Sequence, residues 1–145
     1  MKRRTRIVVF GFGTYLVSFV IGIVIGLIFG ADFENASITE LPESLWYAGM
    51  ATTTLITYLA ARWYFMDITI EPSAKEGLLF GLAIVGIGFL FDIFFLLPQI
   101  ADQGTEELFN YFSHPFFVLT IFMVVAVSAI VGAREEQSRK ELMEQ

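Results

Sequence analysis

The stretch GFLFDIFFLLP, residues 88–98, holds a single acid, Asp92, among leucines, isoleucines and phenylalanines. A carboxylate left alone at the centre of an apolar helix costs roughly 2.5–3.5 kcal/mol on insertion scales, so it needs either a partner or a use. The use would be to hold a proton or a cation, with the hydroxyls of Thr53, Thr57 and Thr120 along its path. His114 is the only histidine of the chain. Beside Asp92 its imidazolium would be stabilised and would titrate near neutral pH, whereas at a helix start it would simply face the membrane surface. The alternative for Asp92 is structural: a neutral acid hydrogen-bonded to a neighbouring helix, locking the packing. Donors at matching depth would be Thr120, the 49–53 stretch of the second helix, Tyr111 or His114.

Other chemistries find no support. The chain has no cysteine, which removes disulfides, thiolate metal sites and CxxC redox chemistry. A metal site in a helical bundle draws on several inward His and Glu residues, and one histidine with one apolar-segment acid cannot supply it. No metal and no cofactor are therefore expected. No nucleophile and base share a motif, and no Walker or GxGxxG loop is present, the GFG at 11–13 having no preceding strand. The chain is not expected to be an enzyme. The basic start MKRRTR suits anionic lipid headgroups, at about 1 kcal/mol per basic residue, so no nucleic acid partner is expected.

The elements that would carry Asp92 follow from hydropathy. Apolar residues collect in four blocks, Ile7–Gly30, Leu45–Tyr64, Gly77–Leu97 and Pro115–Gly132, and Asp92 is their only acid. Each approaches the roughly 20 residues that cross a 30 Å hydrocarbon core. The expectation is a single all-α domain over 1–145, a four-transmembrane-helix bundle, antiparallel and up-down-up-down. Its helices fall at about 7–30, 45–64, 76–97 and 115–133, with a charged tail at 134–145. The first block exceeds the approximately 7–15 residues of a signal h-region and lacks a good cleavage site, so it reads as a retained helix.

Charge sets the threading. Lys2, Arg3, Arg4, Arg6, Arg62, Lys75, Arg134, Arg139 and Lys140 are counted with the N-terminal tail, the connection between the second and third helices, and the C-terminal tail. The other two loops hold Asp32, Glu34, Glu40, Glu43, Asp102, Glu106 and Glu107 and no basic residue. The positive-inside rule then puts both termini in the cytoplasm of a multi-pass protein of the cell inner (cytoplasmic) membrane. Local signals agree. Ser73–Glu76 reads as a capping box, Pro98 as the end of the third helix, and Ser113 as the cap of the fourth. TEELFNYFS, 105–113, reads equally as a short interfacial helix or an irregular loop. In the tail, Glu135–Arg139 and Glu136–Lys140 are spaced for i,i+4 pairs.

Helices in lipid associate through small residues and cross-helix polar contacts. Gly11, Tyr15, Ser18, Gly22 and Gly26 make one seam on the first helix. Gly49, Thr53, Thr57 and Ala61 make another on the second, and Gly77, Gly81, Gly88 and Asp92 a third on the third helix. Intramolecular packing is the preferred use of these seams; a homo-oligomer, or binding of other membrane proteins, is the further expectation beside the lipid bilayer itself.

KEGLLFGL (75–82), then LFDIFFLLP (90–98), a Tyr-containing loop and Pro115 resemble small four-helix membrane proteins of prokaryotes. The resemblance covers the second half of the chain and implies that fold but no activity, since none is assigned to the group. Small multidrug resistance transporters are similar in size and helix count but carry an essential Glu in the first helix, which has none here. Dimeric fluoride channels carry polar-track and arginine motifs that are missing. The function expected is a non-enzymatic accessory, scaffold or assembly subunit. The alternative is a minimal transporter or channel subunit with Asp92 as its proton or cation site.

Overall fold

The computed structural model describes residues 3–30, 42–100 and 105–144. Lys2, Asp32, Glu34, Glu40 and Asp102 of the charge count lie outside them. Every element among the described residues is helical: α1 (Arg3–Ile28), α2 (Glu43–Phe65), α3 (Ala74–Ile100), α4 (Thr105–Ser113) and α5 (Pro115–Met143). Stretches of α1 (Thr5–Ile28), α3 (Ala74–Phe95) and α5 (Pro115–Met143) are long and apolar enough to cross a membrane. α2 is 23 residues long, but its threonines with Glu43 and Arg62 lower its hydropathy.

The helix ends depart from the sequence boundaries in instructive ways. α3 starts as expected, with Ser73 Oγ accepting the Glu76 N–H at 3.0 Å, but the Glu76 carboxylate takes the Tyr64 hydroxyl at 2.7 Å. Pro98 does not end α3, which runs on to Ile100; a proline in the last turn forfeits one N–H donor without stopping the chain. His114, not Ser113, occupies the cap position of α5, in extended backbone before Pro115. Ser113 instead donates to the Phe109 carbonyl at 2.6 Å, closing α4, the helix that forms from 105–113. Arg62, counted with the following connection, belongs to the last turn of α2.

The apolar exterior is what a membrane requires. Ile28 (76%), Phe94 (74%) and Phe122 (67%) are large, exposed and carried by the three most apolar helices. In lipid such side chains lose nothing, whereas in water they would form an aggregating surface. The fully buried core is small and lies toward one end, around Ala61, Tyr64, Phe65, Ile70, Phe80, Ile84, Val124 and Val131.

Glycine brings α3 and α5 together there. A Cβ on Gly77 would strike the Ser128 backbone, and one on Gly81 would lie 2.9 Å from the Val125 Cα. Gly132 approaches Ser73 and the Gly77 Cα in return. Against α1, the Gly11 position faces Ile84 and Ile87, and Gly88 faces the Tyr15 ring at 3.4 Å. Two expected packing glycines do not pack. Gly22 and Gly49 meet nothing within 4 Å among the described residues, and Gly30, at φ +70, is likewise open. Gly26 is buried. The used α1 face is the one bearing Gly11, Thr14, Tyr15 and Ser18.

Charges fasten the same end. Arg6 pairs with Asp67 and lies over the Phe10 ring, 5.4 Å from its centroid. Arg139 forms no i,i+4 pair with Glu135. It donates to the carbonyls of Phe65 (2.6 Å), Ile70 (2.7 Å) and Asp67 (3.1 Å), supplying donors that the C-terminal turn of α2 otherwise lacks. Glu135 turns to Arg62 at 3.5 Å, and Lys140 does pair with Glu136 at 2.6 Å.

The two kinds of glycine should separate on substitution. Gly77→Ala is expected to cost about 1–3 kcal/mol through overpacking against Ser128, while Gly86→Ala, with nothing within 4 Å, should be neutral or slightly stabilising. Thermal unfolding in detergent, read by circular dichroism, checks both.

Candidate functional site

At the end away from this core the helices enclose a partly open cavity of about 300 Å³. Ile84 and Val124 form its floor, and both belong to the buried core beneath. The wall takes one seam from each long helix: Ser18 and Tyr15 from α1, Gly49 and Thr53 from α2, Gly88 and Asp92 from α3, and Thr120 from α5. Tyr111 from α4 completes it.

Asp92 accepts a hydrogen bond from the Tyr15 hydroxyl, on Oδ1 at 3.0 Å, tying α3 to α1. A carboxyl group offers about four lone-pair sites, so one donor leaves most of its capacity facing the cavity. Tyr15 is itself held in place, stacked on Phe91 with centroids 5.0 Å apart and on Phe19 at 6.1 Å. Trp46 stacks on His114 at 4.3 Å, and Tyr111 packs against Phe117 at 5.1 Å. Burial, with Asp92 next in effect, pushes the Tyr111 phenol above its ordinary range, so it remains a neutral hydroxyl. Among the described residues no group of three or more His, Asp or Glu side chains could hold a metal ion.

Of the residues singled out by type and spacing, the structure brings Asp92, Thr53 and Thr120 to one cavity. The Thr120 proton is committed to the Phe116 carbonyl at 2.7 Å, leaving its oxygen as an acceptor. Thr57 is elsewhere: it is fully buried below the floor, its hydroxyl without a partner, as is that of Ser128. His114 does not border the cavity; its Nδ1 is buried without a hydrogen bond while its ring supports Trp46. Ser18 and Trp46 border the cavity, and Ser18 Oγ and Trp46 Nε1 are buried and unpartnered.

Sequence reasoning named Tyr15 as a seam residue but did not pair it with Asp92. Depth was matched from helix ends, and α3 was ended at Pro98 while α1 was started at Ile7. With α1 from Arg3 and α3 to Ile100, Gly11 falls opposite Ile84 and Ile87, and Tyr15 reaches Asp92. The rings of Phe19, Trp46, Phe89 and Phe117 that line the cavity stand outside the small-residue spacing that marks the seams. No protein-family model, curated protein or solved structure matches this chain.

Tyr15→Phe keeps the ring stacks and deletes one donor. It is expected to destabilise the fold by about 1–3 kcal/mol, the cost of leaving a polar group short of its partner. A double-mutant cycle with Asp92→Asn, by thermal unfolding in detergent, should give a coupling of about 0.5–2 kcal/mol. Additive effects would mean that the Tyr15–Asp92 bond carries no stability.

Proposed function

We propose that this chain is a small, non-enzymatic four-span protein of the cell inner membrane that binds a cation at Asp92, as a minimal transporter-type subunit. The observation that carries this reading is the position of Asp92 on a cavity rather than in a sealed helix contact. An acid kept only to lock packing gains nothing from open space beside it, whereas an acid that takes up a cation needs such space. Ile84 and Val124 border the cavity and belong to the buried core that lies toward the Arg6–Asp67 end. A cavity that ends on a buried core suits a binding protein or an alternating-access carrier better than a continuous pore.

α2 completes the bundle in this proposal. Leu55, Tyr58, Leu59 and Trp63 are exposed on one side, while Thr53 borders the cavity and Thr57 is buried. The hydroxyls of Thr53 and Thr57 are thus on the inner side of α2. The four long helices then cross antiparallel in sequence order, up-down-up-down, with both termini in the cytosol. Arg6, Arg62 and Arg139 gather at one end, and the loops at the other hold no Lys or Arg. The scaffold reading retains one supporting observation, the Tyr15–Asp92 bond between α1 and α3.

The absence of native cysteine makes topology directly readable. Glu106→Cys should react with a membrane-impermeant maleimide in intact cells, and Ser138→Cys only after the membrane is opened; the reverse order would invert the threading. For the site, dicyclohexylcarbodiimide is an apolar reagent that adds to carboxyl groups within membranes. Folded protein is expected to gain one adduct at Asp92, located by peptide mass spectrometry and missing from Asp92→Asn. Labelling of Asp92 only after denaturation would point to a sealed packing acid and sink the cation site.

A further inference from the structure

The composition of the cavity wall specifies what kind of cation it suits. Besides the single carboxyl of Asp92 and the small, hydroxyl and aliphatic residues of the seams, the wall carries six aromatic rings: Tyr15, Phe19, Trp46, Phe89, Tyr111 and Phe117. They come from all five helices, so the rings converge on this space from every side instead of forming a stripe on one element. We propose that the cavity takes a small organic ammonium ion, its charge on Asp92 and its alkyl or aryl groups among these rings. This rests on the cation-site reading above and names the ligand class of that same site.

Two comparisons favour an organic cation over an inorganic one. A metal or alkali ion surrenders a shell of water and must be repaid by several oxygen ligands in close geometry. Here the wall offers one carboxyl group and otherwise only neutral hydroxyls such as Thr53 and Thr120, with no second charged ligand among the described residues to repay the lost hydration. A tertiary or quaternary ammonium carries its charge under methyl or methylene groups, is weakly hydrated, and is attracted to the faces of Trp, Tyr and Phe. Its apolar surface also gains by leaving water. The volume, about 300 Å³, lies at the lower limit of ligand pockets and admits a small amine but not a large multi-ring drug.

The rings are held by contacts with one another and with rings behind the wall. Trp46 has one face covered by His114, and Tyr111 is wedged between Phe112 (5.1 Å) and Phe117. Phe89 packs on Phe112 at 4.9 Å. A wall fixed in advance loses little rotamer freedom when a ligand enters.

The test uses benzyltrimethylammonium and its neutral isostere neopentylbenzene. Trp63→Phe leaves Trp46, which borders the cavity, as the only tryptophan, so its fluorescence reports on the site. In nanodiscs the ammonium is expected to give a saturable change, with at least tenfold weaker binding for Asp92→Asn and for the ring deletion Tyr111→Leu. Neopentylbenzene should give no saturable change over the same range. Sodium or potassium chloride at equal concentration should not displace the ammonium. Equal affinity in wild type and Asp92→Asn, or saturation by the neutral isostere, would overturn the proposal. Because a variant can fail to fold, wild-type protein is also treated with dicyclohexylcarbodiimide after preincubation with each compound. Protection of Asp92 by benzyltrimethylammonium alone supports the organic class. Labelling that only sodium or potassium suppresses, or that no compound suppresses, overturns the ligand class and leaves the reactive site standing. No labelling in the folded state removes both.

Discussion

The contact of α3 with α5 at Gly77, Gly81 and Gly132 is the constraint from which the remaining architecture follows. At these positions one backbone lies against the other, and no side chain other than hydrogen fits between Gly77 and the Ser128 carbonyl. At the opposite end the interhelical contacts are made by rings, such as Trp46 with His114, Tyr47 with Phe116 and Phe89 with Phe112. Rings keep backbones apart where glycines let them touch. Along the α3–α5 seam the glycine contact closes one end, where Tyr64, Phe65 and Phe80 fill the core beside it, while the ring contacts at the other end leave space between the helices. The cavity is therefore a consequence of how bulk is distributed along the helices, and it needs no irregular loop to form it.

The same gradient sorts the polar groups. At the glycine end, ionic groups are spent on structure: Arg139 on the Phe65 carbonyl that ends α2 and those of Asp67 and Ile70 just beyond it, Arg6 on Asp67, Glu76 on Tyr64. Within the apolar layer, hydroxyls satisfy their own helices, as Thr14 does with Phe10, Thr54 with Met50 and Thr120 with Phe116, each at 2.7 Å. In a medium without water this is the cheapest outlet for a Thr proton. Asp92 cannot use it. An acid on a helix interior has no free backbone N–H to accept from, so its only hydrogen-bond partner among the described residues is Tyr15 from the adjacent α1, and its remaining capacity is left for the cavity.

Much of this was legible in the residues before any coordinates. Long apolar blocks fix helical character through the demand that every backbone group bond within its own segment. The small-residue faces of α1 and α3 were readable near Gly11, Gly77, Gly81 and Gly88, because four-residue spacing must stack on one side of a helix. What spacing could not supply was vertical register. Gly22 and Gly26 continue the same stripe as Gly11, yet Gly22 meets nothing within 4 Å, since a stripe states which side faces inward and not how far the neighbouring helix extends. Tyr15 as the partner of Asp92, and Arg139 as the cap of α2, depend on that register. Arg139 also had a local suitor in Glu135 at helical spacing, and three converging carbonyls outweighed a single solvent-exposed ion pair.

The division into a closed and a hollow end also shows in the hydroxyls that find no partner. One turn along the chain from Thr53 and Val124 of the cavity wall lie Thr57 and Ser128, fully buried on α2 and α5 with no hydrogen-bond partner. Each leaves a polar group short of a bond worth about 1 kcal/mol. Ser128 does so within the α3–α5 contact itself, its Oγ 3.1 Å from where a Cβ on Gly81 would lie. The tightest backbone approach of the bundle thus holds by close packing and not by a side-chain hydrogen bond from Ser128.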